Sequence, residues 1–308
     1  FQTPTKLYMV MDFAQGGDFF SFLRRHRRLP EAWARFYLGE LSLALQHLHD
    51  IAVVYRDLKP ENVLLDGRGH AMLADFGLSR NFARRPAGRD KDDRQTPPPP
   101  PDQLDAWKRP LQTRSYCGTE QYMAPEMLLQ RAHTRAVDWW GLGLLAHEMV
   151  AARHPFQGSS HAETLRNMVR SDPDLDAKLS EACRGLLGGL LQKRPGRRLG
   201  SVGGAAELAR APFFSGVRWA RLASRNERPP YVPDVDGDAD TGHFDAEFTE
   251  ETPRDSDYPA GRNRNGGDRE SFFDLFSLNF SARRRRVGSG DESNEFANFS
   301  YNPSSQID

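Results

Sequence analysis

The run Tyr55-Arg56-Asp57-Leu58-Lys59-Pro60-Glu61-Asn62, followed by Asp75-Phe76-Gly77, collects the residue types that phosphoryl transfer asks of a protein. That reaction needs little covalent help. It needs a hydroxyl oriented by a carboxylate, cations on the phosphate oxygens, and ligands to hold those cations. Asp57 supplies a carboxylate and Lys59 a cation. Asn62 and Asp75 supply oxygen donors of the kind Mg²⁺ takes. A lone Asp-Phe-Gly recurs by chance; two such motifs in this order, with a β-like segment between them, are a far more specific signal.

The elements that would position these residues can be read from periodicity. Leu7 to Phe13 is a short apolar run stopped by Gly16 and Gly17, which predicts a buried strand leading into a hinge. Phe19 to Leu23 predicts a short helix and Pro30 the start of a longer one. In the latter Trp33, Phe36, Tyr37, Leu41, Ala44, Leu45 and Leu48 recur at three- and four-residue steps, giving one apolar face. Val53 to Leu65 holds short β-branched runs on either side of the polar loop, and Ala71 to Ala74 predicts another strand. Val137 to Val150 is apolar nearly all round, as a buried helix would be, and Leu186 to Leu191 predicts one more helix. Asn81 to Arg114, with five consecutive prolines at Pro97–Pro101, is expected to be a solvated, partly polyproline loop. Asp234 to Thr241 is acidic and Gly-rich. Ser256 to Ser293 is rich in Gly, Arg, Asn and Asp around an aromatic cluster of Phe272, Phe273, Phe276 and Phe280. No internal repeat is visible.

Bulk properties narrow the field. The 308 residues carry 42 basic and 42 acidic side chains, so no global field points to nucleic acid or an anionic membrane. Hydrophobic residues make up 38 %, enough for a sizeable core. Two cysteines, Cys117 and Cys183, make neither a disulfide framework nor a metal cluster, which fits a reducing, cytoplasmic setting without excluding the nucleus. No apolar stretch is long enough for a membrane span. His47 and His49 lie two apart on the long helix and do not share a face, so they make a poor metal pair.

With the motifs taken together, the chain resembles the protein-kinase superfamily, and Lys59 marks the Ser/Thr rather than the tyrosine branch. Cys117-Gly118-Thr119 followed by Ala124-Pro125-Glu126 looks like the end of an activation segment. Asp138-Trp139-Trp140-Gly141 looks like the start of the central helix whose Asp braces the catalytic loop. Arg198 stands where the family pairs an arginine with the glutamate here numbered Glu126. The resemblance covers about residues 1–214. Pro230-Tyr231-Val232-Pro233, Phe244-Asp245-Ala246-Glu247-Phe248-Thr249 and Phe296-Ala297-Asn298-Phe299-Ser300-Tyr301 resemble the C-terminal tail of AGC kinases, the group of cAMP-dependent protein kinase, protein kinase B and the ribosomal-protein kinases.

The resemblance implies an α+β, bilobal kinase fold, of which this chain holds the hinge, the helical large lobe (with the proline-rich insertion at about 81–114) and, over 215–308, a tail expected to be largely extended or disordered. The small lobe is expected to be largely missing from these residues. It implies transfer of the ATP γ-phosphate to Ser or Thr of proteins, with Asp57 orienting the hydroxyl, Lys59 neutralising the phosphoryl, and Asn62 and Asp75 holding Mg²⁺. Met11 resembles the gatekeeper behind adenine. The backbones of Asp12 and Ala14 would meet the adenine edge, Leu64 its floor, Ala74 and Phe244 its surroundings, and Asp18 the ribose. Asp18, Glu61 and Glu148 match acidic positions that receive substrate arginines, Glu61 also bordering the nucleotide. Ser115 matches the activation-loop phosphorylation site, with Arg56 as its partner and an upstream kinase implied. Ser300 and Ser256 match tail sites. Arg283 to Arg286 precede Ser289, with Arg284 five and Arg286 three residues before it, which makes Ser289 a candidate self-site. Pro97–Pro101 fits an SH3-type partner.

The departures are as informative. The family's Gly-rich loop, strand lysine and partner-glutamate helix have no counterpart within the 308 residues. The 308-residue chain alone is therefore expected to bind ATP poorly and to be an inactive fragment, and a scaffold without chemistry is the rival reading. Gln121 stands where relatives have a glutamate before Tyr122, and Ala74 where many have threonine. Cys117 has no positioned His partner and reads as structural.

Overall fold

A computed structural model describes residues 8–82, 113 and 117–250. The chain divides into two units, Phe1–Phe13 with Thr252–Asp308, and Ala14–Glu251. In the first, residues 8–13 carry neither helix nor strand, and Met9, Val10 and Met11 are exposed. The buried strand expected over Leu7–Phe13 is thus not formed at its described residues, 8–13. A strand exists only by backbone pairing, and the ladders among the described residues join other segments.

The second unit is mostly helical. α1 (Phe19–His26) starts at Asp18, whose Oδ1 accepts the Ser21 N–H at 2.7 Å, and ends on Arg24, Arg25 and His26, cations that suit the negative end of the helix dipole. α2 (Glu31–Asp50) begins after Pro30, as expected, since proline has no N–H to lose at a helix start. The predicted apolar stripe is buried at Tyr37, Leu41, Leu45 and Leu48 and half-buried at Trp33 and Phe36. β1 (Val53–Val54), β2 (Val63–Leu65), β3 (Ala71–Leu73) and β4 (Arg80–Asn81) form two antiparallel ladders. One pairs Val53 with Asn81 and Val54 with Arg80; the other pairs Val63, Leu64 and Leu65 with Leu73, Met72 and Ala71. The ladders clamp the polar loop between β1 and β2, with its 3₁₀ turn at Pro60–Asn62.

The loop expected from Asn81 to Arg114 is narrower at both ends, because backbone pairing captures its flanks. Asn81 belongs to β4, Phe82 N–H donates to Ala52 O at 2.9 Å, and buried Thr113 forms an antiparallel bridge with His133. Pro97–Pro101 lies outside the described residues.

α3 (Pro125–Leu128) precedes α4 (Ala136–Ala151), which is buried on all sides except at Glu148. Trp139, Leu142, Leu145 and Met149 of α4 share one core with Leu41 and Leu45 of α2. α5 (His161–Arg170) and α6 (Glu181–Leu190) follow, each capped by a serine, Ser160 and Ser180. Then come α7 (Gly204–Leu208), α8 (Trp219–Ala223) and α9 (Ala246–Thr249).

The segment after α8 runs back over the lobe. Arg225 pairs with Asp66 at 2.8 Å. The Tyr231 ring lies 5.0 Å from that of Phe22 and 5.3 Å from that of His26. Its carbonyl oxygen comes within 1.9 Å of where a Cβ on Gly69 would stand, so only glycine fits that turn, whose φ is +88°.

Candidate active site

Asp57 is buried at the centre of a polar cage. Its Oδ2 accepts Asn62 Nδ2 at 2.8 Å and pairs with Lys59 Nζ at 3.0 Å; its Oδ1 accepts the Thr119 N–H at 3.2 Å. Lys59 Nζ also donates to Thr119 Oγ1 at 2.8 Å. The carboxylate is thereby fixed in orientation by donors from two separate segments, as a group that must aim at a hydroxyl requires.

The loop that carries it is held from below by α4. Asp138 accepts Tyr55 N–H at 3.0 Å, Arg56 N–H at 2.7 Å and His49 Nε2 at 2.7 Å, in full burial. This is the brace expected of Asp138. It lets Arg56 take a left-handed φ of 71°, costly for a non-glycine residue unless its surroundings hold it. His49, read from sequence only as an unsuitable metal ligand, is the third arm of the brace. At the first residue of α4, buried Arg198 donates to Ala136 O at 2.7 Å and grips Glu126 with two parallel bonds, 2.8 and 2.9 Å. The Arg198–Glu126 pair expected from the motif is formed.

Asn62 O accepts the Ala74 N–H at 2.9 Å, and the Tyr55 hydroxyl donates to Ala74 O. Asp75 is thus set beside Asn62, again at a left-handed φ, 52°. Because the Asn62 amide nitrogen is committed to Asp57, through both its backbone carbonyl and its Oδ2, Asn62 has its Oδ1 left to offer. Asp75 spends Oδ1 on the Gly77 N–H at 2.9 Å and keeps Oδ2. Two oxygen donors on adjoining loops fit Mg²⁺.

Ala14, Asp18 and Leu64 also converge. Gly16 N–H donates to Leu65 O and Leu65 N–H to Gly17 O, both at 2.9 Å, and Asp18 bridges to Leu64. Asp18 and Leu64, the residues expected at the ribose and under the adenine, are therefore backbone neighbours. Met11 and Asp12 belong to the other unit. Phe244 lies in the second unit, one residue beyond His243, whose carbonyl abuts Gly17.

Glu61 and Glu148 form an acidic pair. Glu148 takes a hydrogen bond from the Tyr122 hydroxyl at 2.5 Å. Burial, together with the nearby Glu61 charge, raises its carboxyl to about 7 against the Tyr122 bond. Glu61 Oε2 is buried with no hydrogen-bond partner. Asp18 is spent on capping α1 through one oxygen. Sequence reasoning missed Tyr122 and Thr119 as functional side chains. Only their places beside Gln121 and Gly118 marked them. Glu120 Oε2 lies 2.8 Å from His161 Nε2, so a carboxylate–imidazole hydrogen bond stands beside Gln121. Arg56 Nε donates to Leu78 O at 2.8 Å, and burial, with Arg80 close by, weakens its hold on its proton. Ser115, Ser256, Ser289 and Ser300 lie outside the described residues.

A family model described as "Protein kinase domain" matches residues 1–214. The chain belongs to the protein kinase family. A second model, "Protein kinase C terminal domain", matches residues 235–301 of this kinase chain. Ribosomal protein S6 kinase alpha-2 of Mus musculus is 41% identical over 257 residues, covering 83% of this chain and 32% of that protein. The human protein of the same name is 40% identical with the same coverage. Serine/threonine-protein kinase gad8 of Schizosaccharomyces pombe is 41% identical over 257 residues, covering 83% of this chain and 41% of that protein. The tail match and these likenesses place the kinase domain in the AGC group. The chain spans about a third of the length of the S6 kinases it matches. Among the described residues no helix is long and apolar enough to cross a membrane.

Proposed function

We propose that this domain transfers the γ-phosphate of ATP to Ser or Thr hydroxyls of proteins. The observation that carries the reading is the Asp57 cage: a buried carboxylate oriented by Asn62, Lys59 and Thr119 beside two oxygen donors on adjoining loops. Asp57 accepts the hydroxyl's hydrogen bond and takes its proton as the new P–O bond forms and the bond from the γ-phosphorus to the bridging oxygen breaks, releasing ADP. Lys59, within 3.0 Å of that carboxylate, offers its charge to the phosphoryl oxygens. Asn62 and Asp75 would hold Mg²⁺, which supplies charge neutralisation on the phosphates when bound. Ala14, Leu64, Ala74 and Phe244 would receive adenine, and Asp18 and Glu61 would border the ribose.

Substrates carrying arginine before the acceptor fit the Glu61–Glu148 pair. A guanidinium offers two parallel donors to carboxylates, and it would satisfy the Glu61 oxygen that is now buried alone. Asp18 adds a third carboxylate. Phosphate on Ser115, placed by an upstream kinase, would pair with Arg56 and order the segment. Ser300 and Ser256 are proposed tail sites, and Ser289, after Arg284 and Arg286, a self-site. Pro97–Pro101 is proposed as a ligand for an SH3-type domain. A cytoplasmic location suits these partners.

The test is phosphate transfer by the full-length gene product to paired peptides spanning Arg283 to Glu292, one with Arg284 and Arg286 changed to alanine. Preferential labelling of the arginine peptide supports the reading, equal labelling removes the arginine preference, and no labelling of any Ser or Thr peptide removes the activity.

A further inference from the structure

We propose that Gly17 and the basic end of α1 form a seat that positions Phe244 for the nucleotide. The inference rests on the reading of Phe244 as an adenine-side residue given above. The central observation is steric. A Cβ built on Gly17 would stand 2.6 Å from the His243 carbonyl oxygen and 3.2 Å from its carbonyl carbon. The tail backbone therefore occupies the volume that any other residue would need for its side chain. Gly17 also sits at φ +75°, a conformation that costs glycine nothing.

The residues flanking Phe244 are both held by α1. Arg25 reaches the Nδ1 of His243 at 3.2 Å, while His243 Nε2 lies 2.8 Å from the Asp234 carbonyl oxygen. A carbonyl accepts and a guanidinium donates, so this pair of contacts selects the neutral ring with its proton on Nε2. On the other side, Arg24 donates to both carboxylate oxygens of Asp245, at 3.1 and 3.4 Å. Between them the Phe244 N–H donates to Thr241 O at 2.9 Å and closes a turn. Farther back, Gln15 Nε2 donates to Gly237 O at 3.3 Å. All of these anchors lie within one short stretch, Gln15 to Arg25, which also contains Asp18. The same helix cap that fixes the ribose residue thus fixes the backbone that carries the aromatic ring. Gly17 is a positioning residue: it acts through Phe244, and the exposed Arg24–Asp245 pair adds a little to its hold.

A double-variant cycle in the full-length gene product tests this. Gly17→Ala is expected to raise the KM for ATP about three- to tenfold, the range a single aromatic contact is worth, with kcat and the peptide KM unchanged. Phe244→Ala is expected to do the same, and the combined variant to be no worse than Phe244→Ala alone. Gly216→Ala is the control for backbone strain. Its φ is +81° and nothing lies within 4 Å of the new Cβ, so it should leave the ATP KM unchanged. Hydrogen exchange on the 308-residue chain gives a readout independent of turnover. Gly17→Ala should speed exchange at the Phe244 amide, and Gly216→Ala should not. If Phe244→Ala leaves the ATP KM unchanged, the adenine-side reading falls and the proposal with it. If Phe244→Ala raises it while Gly17→Ala does not, or the two effects simply add, the seat is refuted and the reading of Phe244 stands.

Discussion

Around Asp57 the polar groups that hold the chain are buried: Asp138 grips three partners with no exposure, and Arg198 grips Glu126 likewise. At the tail segment His243–Asp245, the ion pair is open to water, with Arg24 60% and Asp245 49% exposed. The first region is tied by charges that cannot be separated without leaving one stranded in the core. The second is tied by backbone shape at Gly17, with exposed charges adding little. The catalytic loop is thus built to keep one geometry, while the tail segment is held loosely enough to be placed or released by small free energies.

Breaking the buried side of that contrast should have the largest effect. Arg198→Met leaves Glu126 buried without its partner and should cost about 3–5 kcal/mol of stability, read as a fall in the denaturant midpoint of the 308-residue chain. A loss below 1 kcal/mol would show the brace to be less buried than its geometry requires.

The acidic pair should respond to pH. Folded, the Glu148 carboxyl holds its proton up to about 7, against an ordinary 4.5. Between those values the folded state binds more protons than the unfolded, so this group's contribution to stability falls as pH rises through the window. Arginine binding runs the other way. It needs the anion, so affinity for an arginine peptide should rise as pH passes through 7. Glu148→Gln should flatten both slopes and weaken arginine-peptide binding about tenfold or more, the worth of a charged hydrogen bond. A pH profile identical to wild type would sink the assignment.

Asp245→Asn sharpens the exposed side. The ATP KM should change less than about fivefold, and the change should vanish in high salt. A larger, salt-insensitive effect would mean that the ion pair, rather than Gly17, holds the tail.

Much of this was legible in the chain. Asp57, Asn62, Asp75, Asp138 and the Arg198–Glu126 pair follow from motif order, because each motif fixes residue type and spacing together. The helices followed from apolar spacing, as at Tyr37, Leu41 and Leu45. What escaped depends on segments distant in sequence. Leu7–Phe13 has the composition of a strand, yet a strand is decided by its pairing partner. His49 meets Asp138 across 89 positions and Tyr122 meets Glu148 across 26, and neither has a local signature. The Gly17–His243 contact spans still more chain and rests on a side chain that is absent.

The most direct test of the account is the transfer of labelled γ-phosphate from ATP to an arginine-bearing serine peptide by the full-length gene product, beside its Asp57→Asn variant. Asn keeps the size of the side chain but cannot take a proton. The account predicts clear serine labelling by the wild type and a loss of about 10²–10⁴-fold in the variant, with ATP affinity little changed. Undiminished labelling by Asp57→Asn, or none by the wild type, would contradict it.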